Sequence, residues 1–105
     1  MSTKAFVYTE MQISVPFNQA PWRELNPILQ GQPGLRNKTW LSGDQNQSVG
    51  GFYEFDSLEN ARKFAHDYFP NEARKLGAAF TTRVFDGNVV EKASRELNSP
   101  HYVAA

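Results

Sequence analysis

The chain has 105 residues, eleven basic and eleven acidic side chains, and no cysteine. That length suits one domain with a modest core, and the missing thiols exclude disulfides, thiolate catalysis and zinc–thiolate sites. Cancelling charges give no long-range attraction for phosphate backbones or anionic lipid, so neither nucleic acid nor a membrane is an expected partner, while self-association is left open.

No apolar run approaches the ~20 residues that span a bilayer. Thr9, Glu10 and Gln12 interrupt the stretch behind Met1-Ser2-Thr3-Lys4. No signal peptide is therefore expected, and the default is a cytoplasmic protein. Aromatic residues make up 13% of the chain, which fits either a small core built from large side chains or an aromatic-lined pocket.

Lys4 to Ser14 alternates: Val7, Thr9, Met11 and Ile13 fall on one face, Phe6, Tyr8, Glu10 and Gln12 on the other. That period of two predicts a strand. Asn18 is a fair helix N-cap with Pro21 in the first turn, and Trp22, Leu25, Ile28 and Leu29 recur at helical spacing. Pro27 removes a hydrogen bond inside that helix, so a kink or a short helix is expected. Gly31 and Pro33-Gly34 close it.

Leu35–Leu41 and Val49–Phe55 read as a hairpin around the polar Ser42–Ser48 turn. Gly50-Gly51 suggests a close backbone approach or a bulge. Asp56 or Ser57 caps the next helix, whose apolar stripe is Leu58, Ala61, Ala65, Tyr68 and Phe69, with Phe64 at its edge. Pro70 stops or bends it; Asn71–Leu76 adds a turn or two before Gly77. Ala78–Phe85 is a fourth strand, Asp86-Gly87-Asn88 a turn, Val89–Leu97 a weak helix and Pro100–Ala105 a loose tail.

The order is β-α-β-β-α-β, a ferredoxin-like α+β domain with its core over residues 4–88 and a C-terminal extension over 89–105. Helices cover one face of such a sheet. The other offers Phe6, Tyr8 and Phe85, or Val7, Met11, Phe80 and Val84, depending on register. Either set is too apolar to stay wet. Face-to-face packing of two copies, a dimeric α+β barrel, would hide it.

Pro33-Gly34-Leu35, Lys38-Thr39-Trp40, Gly50-Gly51-Phe52-Tyr53-Glu54-Phe55, Gly77 and Val84-Phe85-Asp86 together resemble the YdhR family of small bacterial proteins, named for monooxygenase activity. Pro16-Phe17 and Leu25-Asn26-Pro27-Ile28 also fit, and the match covers roughly residues 5–90. The resemblance implies a homodimeric α+β barrel related to antibiotic-biosynthesis monooxygenases. Those relatives oxidise polycyclic phenols to quinones with dioxygen and no flavin, haem or metal. The same barrel hosts isomerases, cyclases and binding proteins, so architecture does not decide the chemistry.

Cofactor-independent oxygenation needs a group that takes the phenolic proton, a partner for the anion, and walls that exclude water. Trp40 and Lys38, two apart on one strand face, could stack on a flat substrate and hold its phenolate; the indole N–H could bind an oxygen. Otherwise both are structural. Arg83 could bind a substrate oxygen, or pair with Glu54 or Glu10. Tyr8 and Tyr53 are possible proton donors, and Phe52 and Tyr68 possible pocket walls. His66 is the better candidate catalytic base by residue type, but it sits beside the apolar stripe, with a rim or solvent position expected; His101 lies in the tail. The two histidines lack metal-ligand spacing, so neither metal nor haem is expected. The expected activity is cofactor-independent monooxygenation of a small phenolic molecule. The alternative is a non-oxidative binding protein, cyclase or isomerase.

Overall fold

The computed structural model describes residues 4–13 and 22–102. Its elements are β1 (Ala5–Gln12), α1 (Trp22–Gln30), β2 (Leu35–Ser42), β3 (Ser48–Phe55), α2 (Leu58–Lys63), a π-helical turn (Phe64–Tyr68), α3 (Phe69–Lys75), β4 (Phe80–Asp86), α4 (Glu91–Glu96) and a 3-10 turn (Pro100–Tyr102). The proposed cap at Asn18 and Pro21 lies outside the described residues.

The four strands form one sheet in the order β2-β3-β1-β4, each neighbour antiparallel. This is the ferredoxin-like arrangement expected from the element order. Val7 lies opposite Tyr53 on one side and Val84 on the other. Ala5, Val7, Tyr53 and Phe55 therefore share the face that packs against Ala61, Phe64, Ala65 and Phe69. Met11, Phe80 and Val84 flank this core, and Phe6, Tyr8 and Phe85 turn to the other side. Pairing thus resolves the two registers that alternation alone permits.

Glycine serves that pairing at one position in particular. A Cβ at Gly50 would sit 1.8 Å from the carbonyl oxygen of Thr9. The close backbone approach expected at this position is therefore present, between β3 and β1.

Ser57, not Asp56, caps α2: its side chain accepts from the Asn60 N–H at 3.1 Å. The expected stripe of Leu58, Ala61, Ala65, Tyr68 and Phe69 joins the core, but the helix is not regular. Phe69 N–H donates to Phe64 O, an i→i+5 bond that closes the π turn. One extra residue in the turn rotates the rest of the helix about its axis. Phe64, expected at the edge, is buried between Tyr53, Phe55 and Tyr68 at ring-centroid distances of 4.7, 5.4 and 5.5 Å. The same irregularity leads into Pro70, in the first turn of α3, where its missing N–H costs least. The helix therefore runs on to Lys75 instead of ending at the proline.

The C-terminal region differs most from expectation. Pro100–Tyr102 is no loose tail: Tyr102 is buried and donates its hydroxyl to Gly87 O at 2.5 Å. His101 Nδ1 lies 2.8 Å from Glu54 Oε1, and its ring stands edge-on to Phe6 and Phe52. Glu54, only 5% exposed, also meets Lys4, Arg36 and Asn37. Burial pushes its carboxyl up, but His101, Asn37, Lys4 and Arg36 together outweigh that and hold it below the usual carboxylate value. The chain thus covers one end of its own outer sheet face. Phe85 at 47% and Leu41 at 37% exposure remain open there.

Replacing Gly50 by alanine forces β1 and β3 apart along a backbone contact that cannot yield like a side chain. Gly50→Ala is expected to cost about 3 kcal/mol, the upper end of overpacking penalties, read as a lowered midpoint in urea unfolding.

Candidate functional site

Between the sheet and the helices lies a cavity of about 630 Å³. Thr9, Trp40, Val49 and Tyr53 form its floor, Phe64, Tyr68 and Phe69 its helical wall, and Trp22, Leu25 and Leu29 close the side. The binary pattern of the strands explains this construction. Inward positions carry aromatic and β-branched groups, while Gly51 on the same face leaves a gap.

Lys38 fills that gap. A Cβ at Gly51 would lie 2.5 Å from Lys38 Cε, so glycine there makes room for the lysine stem. The Lys38 ammonium rests 3.1 Å from the centroid of the Trp40 ring and 4.7 Å from that of Tyr53. No carboxylate or hydrogen-bond acceptor partners it among the described residues. Burial lowers its pKa from 10.5 to about 7. The two ring faces favour the cation but cannot replace the water it has lost, so desolvation dominates.

Tyr53 is 2% exposed and accepts a hydrogen bond from Thr9 Oγ1 at 3.2 Å. Burial pushes its hydroxyl up to about 12, against the opposing effect of the Thr9 bond. It stays protonated at neutral pH. Thr9 is the donor in their contact, so the Tyr53 hydrogen is not directed at Thr9. Burial and the nearby Glu72 charge raise Tyr68 as well. Tyr68 also borders a second, more polar hollow of about 380 Å³ that includes Asn60, Asp67 and Asn71.

Of the residues singled out from sequence, Lys38, Trp40, Tyr53 and Tyr68 converge on the one cavity. Trp40 is a wall and not a donor to substrate: its indole N–H goes to Asn26 Oδ1 at 2.9 Å, tying β2 to α1. Tyr8, Phe52 and Arg83 sit on the opposite sheet face, since their registers place them out of phase with Tyr53. Tyr8 donates to Glu10 at 2.8 Å, and Phe52 stacks on Phe6 at 5.0 Å. Arg83 is exposed, and the expected partner Glu54 is held instead by Lys4, Arg36 and His101. His66 is exposed on the outside of the π turn. No cluster of three metal-ligating side chains occurs among the described residues, and no helix among them is long and apolar enough to cross a membrane.

Sequence reasoning missed Thr9 and Phe64 as site residues. Thr9 carried a signal, a hydroxyl on the inward phase of an apolar strand. Phe64 carried a weaker one, its place at the edge of the apolar stripe of the second helix.

The fold has known counterparts. SnoaB of Streptomyces nogalater, a cofactor-independent oxygenase, superposes with a TM-score of 0.59 at 15% identity over 79% of this chain and 91% of that one. A monooxygenase from the gene ActVA-Orf6 of Streptomyces coelicolor, solved with nanaomycin D, gives 0.56 at 15% identity over 80% and 87%. NE2512 of Nitrosomonas europaea, a protein of unknown function, gives 0.57 at 12% identity over 82% and 89%. The chain shares the fold of these proteins. That likeness is one of fold and does not single out the YdhR family. No family model matches the chain, and no curated protein matches it.

A lysine whose pKa falls from 10.5 to about 7 sets a pH dependence. Between those values the unfolded chain binds a proton that the folded chain does not, so stability rises with pH across the window. Lys38→Met is expected to remove this rise and to be the more stable protein near pH 7. Urea unfolding at intervals through the window reads both; parallel curves for the two proteins would contradict the assignment.

Proposed function

We propose that this protein is a cofactor-independent monooxygenase acting on a small aromatic phenol held in the sheet–helix cavity. One observation carries the reading: an amine poised near neutrality lies inside an aromatic-walled cavity large enough for a fused-ring guest. The shared fold with two oxygenases supports it.

Each residue has a defined task. Trp40, Phe64 and Tyr68 sandwich the flat ring system, and the apolar floor keeps water from the reacting carbon. Neutral Lys38 accepts the phenolic proton; the resulting ammonium then lies beside the phenolate it created. Tyr53, held by Thr9, donates its hydrogen to a ring oxygen. The phenolate passes an electron to dioxygen and the radical pair combines at the ring carbon. The peroxide collapses to a carbonyl: one oxygen atom stays on carbon, and the other leaves as water with the two substrate hydrogens. The sum is phenol plus dioxygen to quinone plus water, which requires no external reductant.

Arg83, Tyr8 and Phe52 take no part in this step. With Phe85 and Leu41 they mark the outer face as the surface for a second copy, giving the homodimeric barrel.

Anthrone supplies the test, through its anthracenol tautomer. Incubation under air is expected to yield anthraquinone with stoichiometric oxygen uptake, and incubation under argon none. Lys38→Met should lower kcat/KM by about 100-fold or more, the usual contribution of a positioned base. Arg83→Ala and His66→Ala should stay within about twofold, as expected of groups that do not reach the reacting atoms. Tight binding of the guest without oxygen uptake would instead identify a non-oxidative binding protein.

A further inference from the structure

Lys38 is unusual for reasons that go beyond proton transfer. It is the cationic group on the cavity floor, it lacks a carboxylate partner among the described residues, and rings bound it on two sides. Lys75, which also borders the cavity, is by contrast exposed and paired with Glu72 at 3.3 Å. An amine with no acceptor among the described residues, in a largely apolar aromatic hollow, has a second chemistry open to it, that of a nucleophile.

We propose that Lys38 is an imine-forming site for aromatic aldehydes and ketones, with Tyr53 as the acid that expels water and Thr9 as the group that positions Tyr53. The class of substrate follows from the walls: a carbonyl carbon must reach Lys38 Nζ while its aryl group lies against Trp40 and Phe64.

The step balances without any redox change. The Lys38 nitrogen lone pair attacks the carbonyl carbon; a C–N bond forms, and one amine proton moves to the former carbonyl oxygen. In the resulting carbinolamine the C–O bond breaks, and Tyr53 O–H delivers its proton to the departing hydroxyl, which leaves as water. The tyrosinate then recovers a proton from the iminium nitrogen. Amine plus carbonyl becomes imine plus one water. Where the guest has an α-hydrogen, its loss from the iminium gives an enamine, and return of a solvent proton exchanges that hydrogen.

Two features favour this over simple ion pairing. A lysine of ordinary pKa is about 99.9% protonated at pH 7 and unreactive, whereas burial brings Lys38 to about 7. Desolvation in an apolar pocket is a standard way to activate a lysine nucleophile. In addition, the Thr9 hydrogen bond leaves the Tyr53 proton directed elsewhere than at Thr9.

The test is reductive trapping. The intact chain is incubated under argon with naphthaldehyde and sodium cyanoborohydride, digested, and mapped by mass spectrometry. The naphthylmethyl adduct is expected on Lys38 in at least about tenfold excess over the exposed Lys63, Lys75 and Lys92, reflecting its larger fraction of free amine. Tyr53→Phe should slow the trapping at Lys38 by about 100-fold, the lower end for a lost general acid. Benzoylacetone, a β-diketone, should give a conjugated enaminone absorbance with the wild-type chain and not with Lys38→Met. Labelling spread evenly over all lysines, or naphthoate binding with no covalent adduct from the aldehyde, would overturn the proposal. If Lys38→Met does not fold, the wild-type peptide map decides alone. This proposal shares the Lys38 amine with the proposed oxygenase, but naphthaldehyde has no phenolic hydroxyl and the trap excludes oxygen, so the two are read apart: anthrone-dependent oxygen uptake without an adduct on Lys38 overturns the imine site alone, and an adduct without oxygen uptake overturns the oxygenase alone.

Discussion

The position of β1 between β3 and β4 is the constraint on which the rest of this molecule depends. Side chains on a strand alternate with a period of two, so a slip of one residue would exchange the contents of the two sheet faces. Here the Gly50–Thr9 approach locks β1 against β3, and Val7 is fixed between Tyr53 and Val84. With that register set, Thr9 and Tyr53 must face the helices together. Phe6, Tyr8, Phe52 and Phe85 must face away.

The cavity follows from this register plus one omission. Gly51 contributes no side chain to the inward face, and Lys38 from β2 bends into the space. A charged group enters a predominantly apolar hollow because two aromatic faces receive it, and its proton affinity falls because they solvate it less well than water does. Stability and reactivity are therefore linked at this side chain. Water exclusion disfavours the charged lysine in the folded state, and the same exclusion makes available a free amine that solvent-exposed lysines lack at neutral pH.

The outer face is organised differently. Glu54 gathers Lys4, Arg36, Asn37 and His101 from distant parts of the chain, and Tyr102 locks the C-terminal turn to Gly87. A buried carboxylate requires such partners. The assembly holds the C-terminal turn against Phe6 and Phe52, so the chain itself shields part of the surface that a bare four-stranded sheet would expose.

The sequence by itself determined the element order, the polar hairpin, the capped second helix and the pairing of Lys38 with Trp40 on one strand face. These are local matters, carried by period, turn chemistry and cap residues. It also marked Tyr53 and Tyr68 as pocket candidates, but could not separate Tyr53 from Tyr8, Phe52 and Arg83, because alternation is symmetrical between faces until a partner strand breaks the symmetry. Only the tertiary structure decided which face was inside, buried Phe64 among Tyr53, Phe55 and Tyr68, directed the Trp40 indole to Asn26 and brought His101 to Glu54. Each of these depends on atoms far apart along the chain. Distance in sequence is what composition and periodicity do not encode.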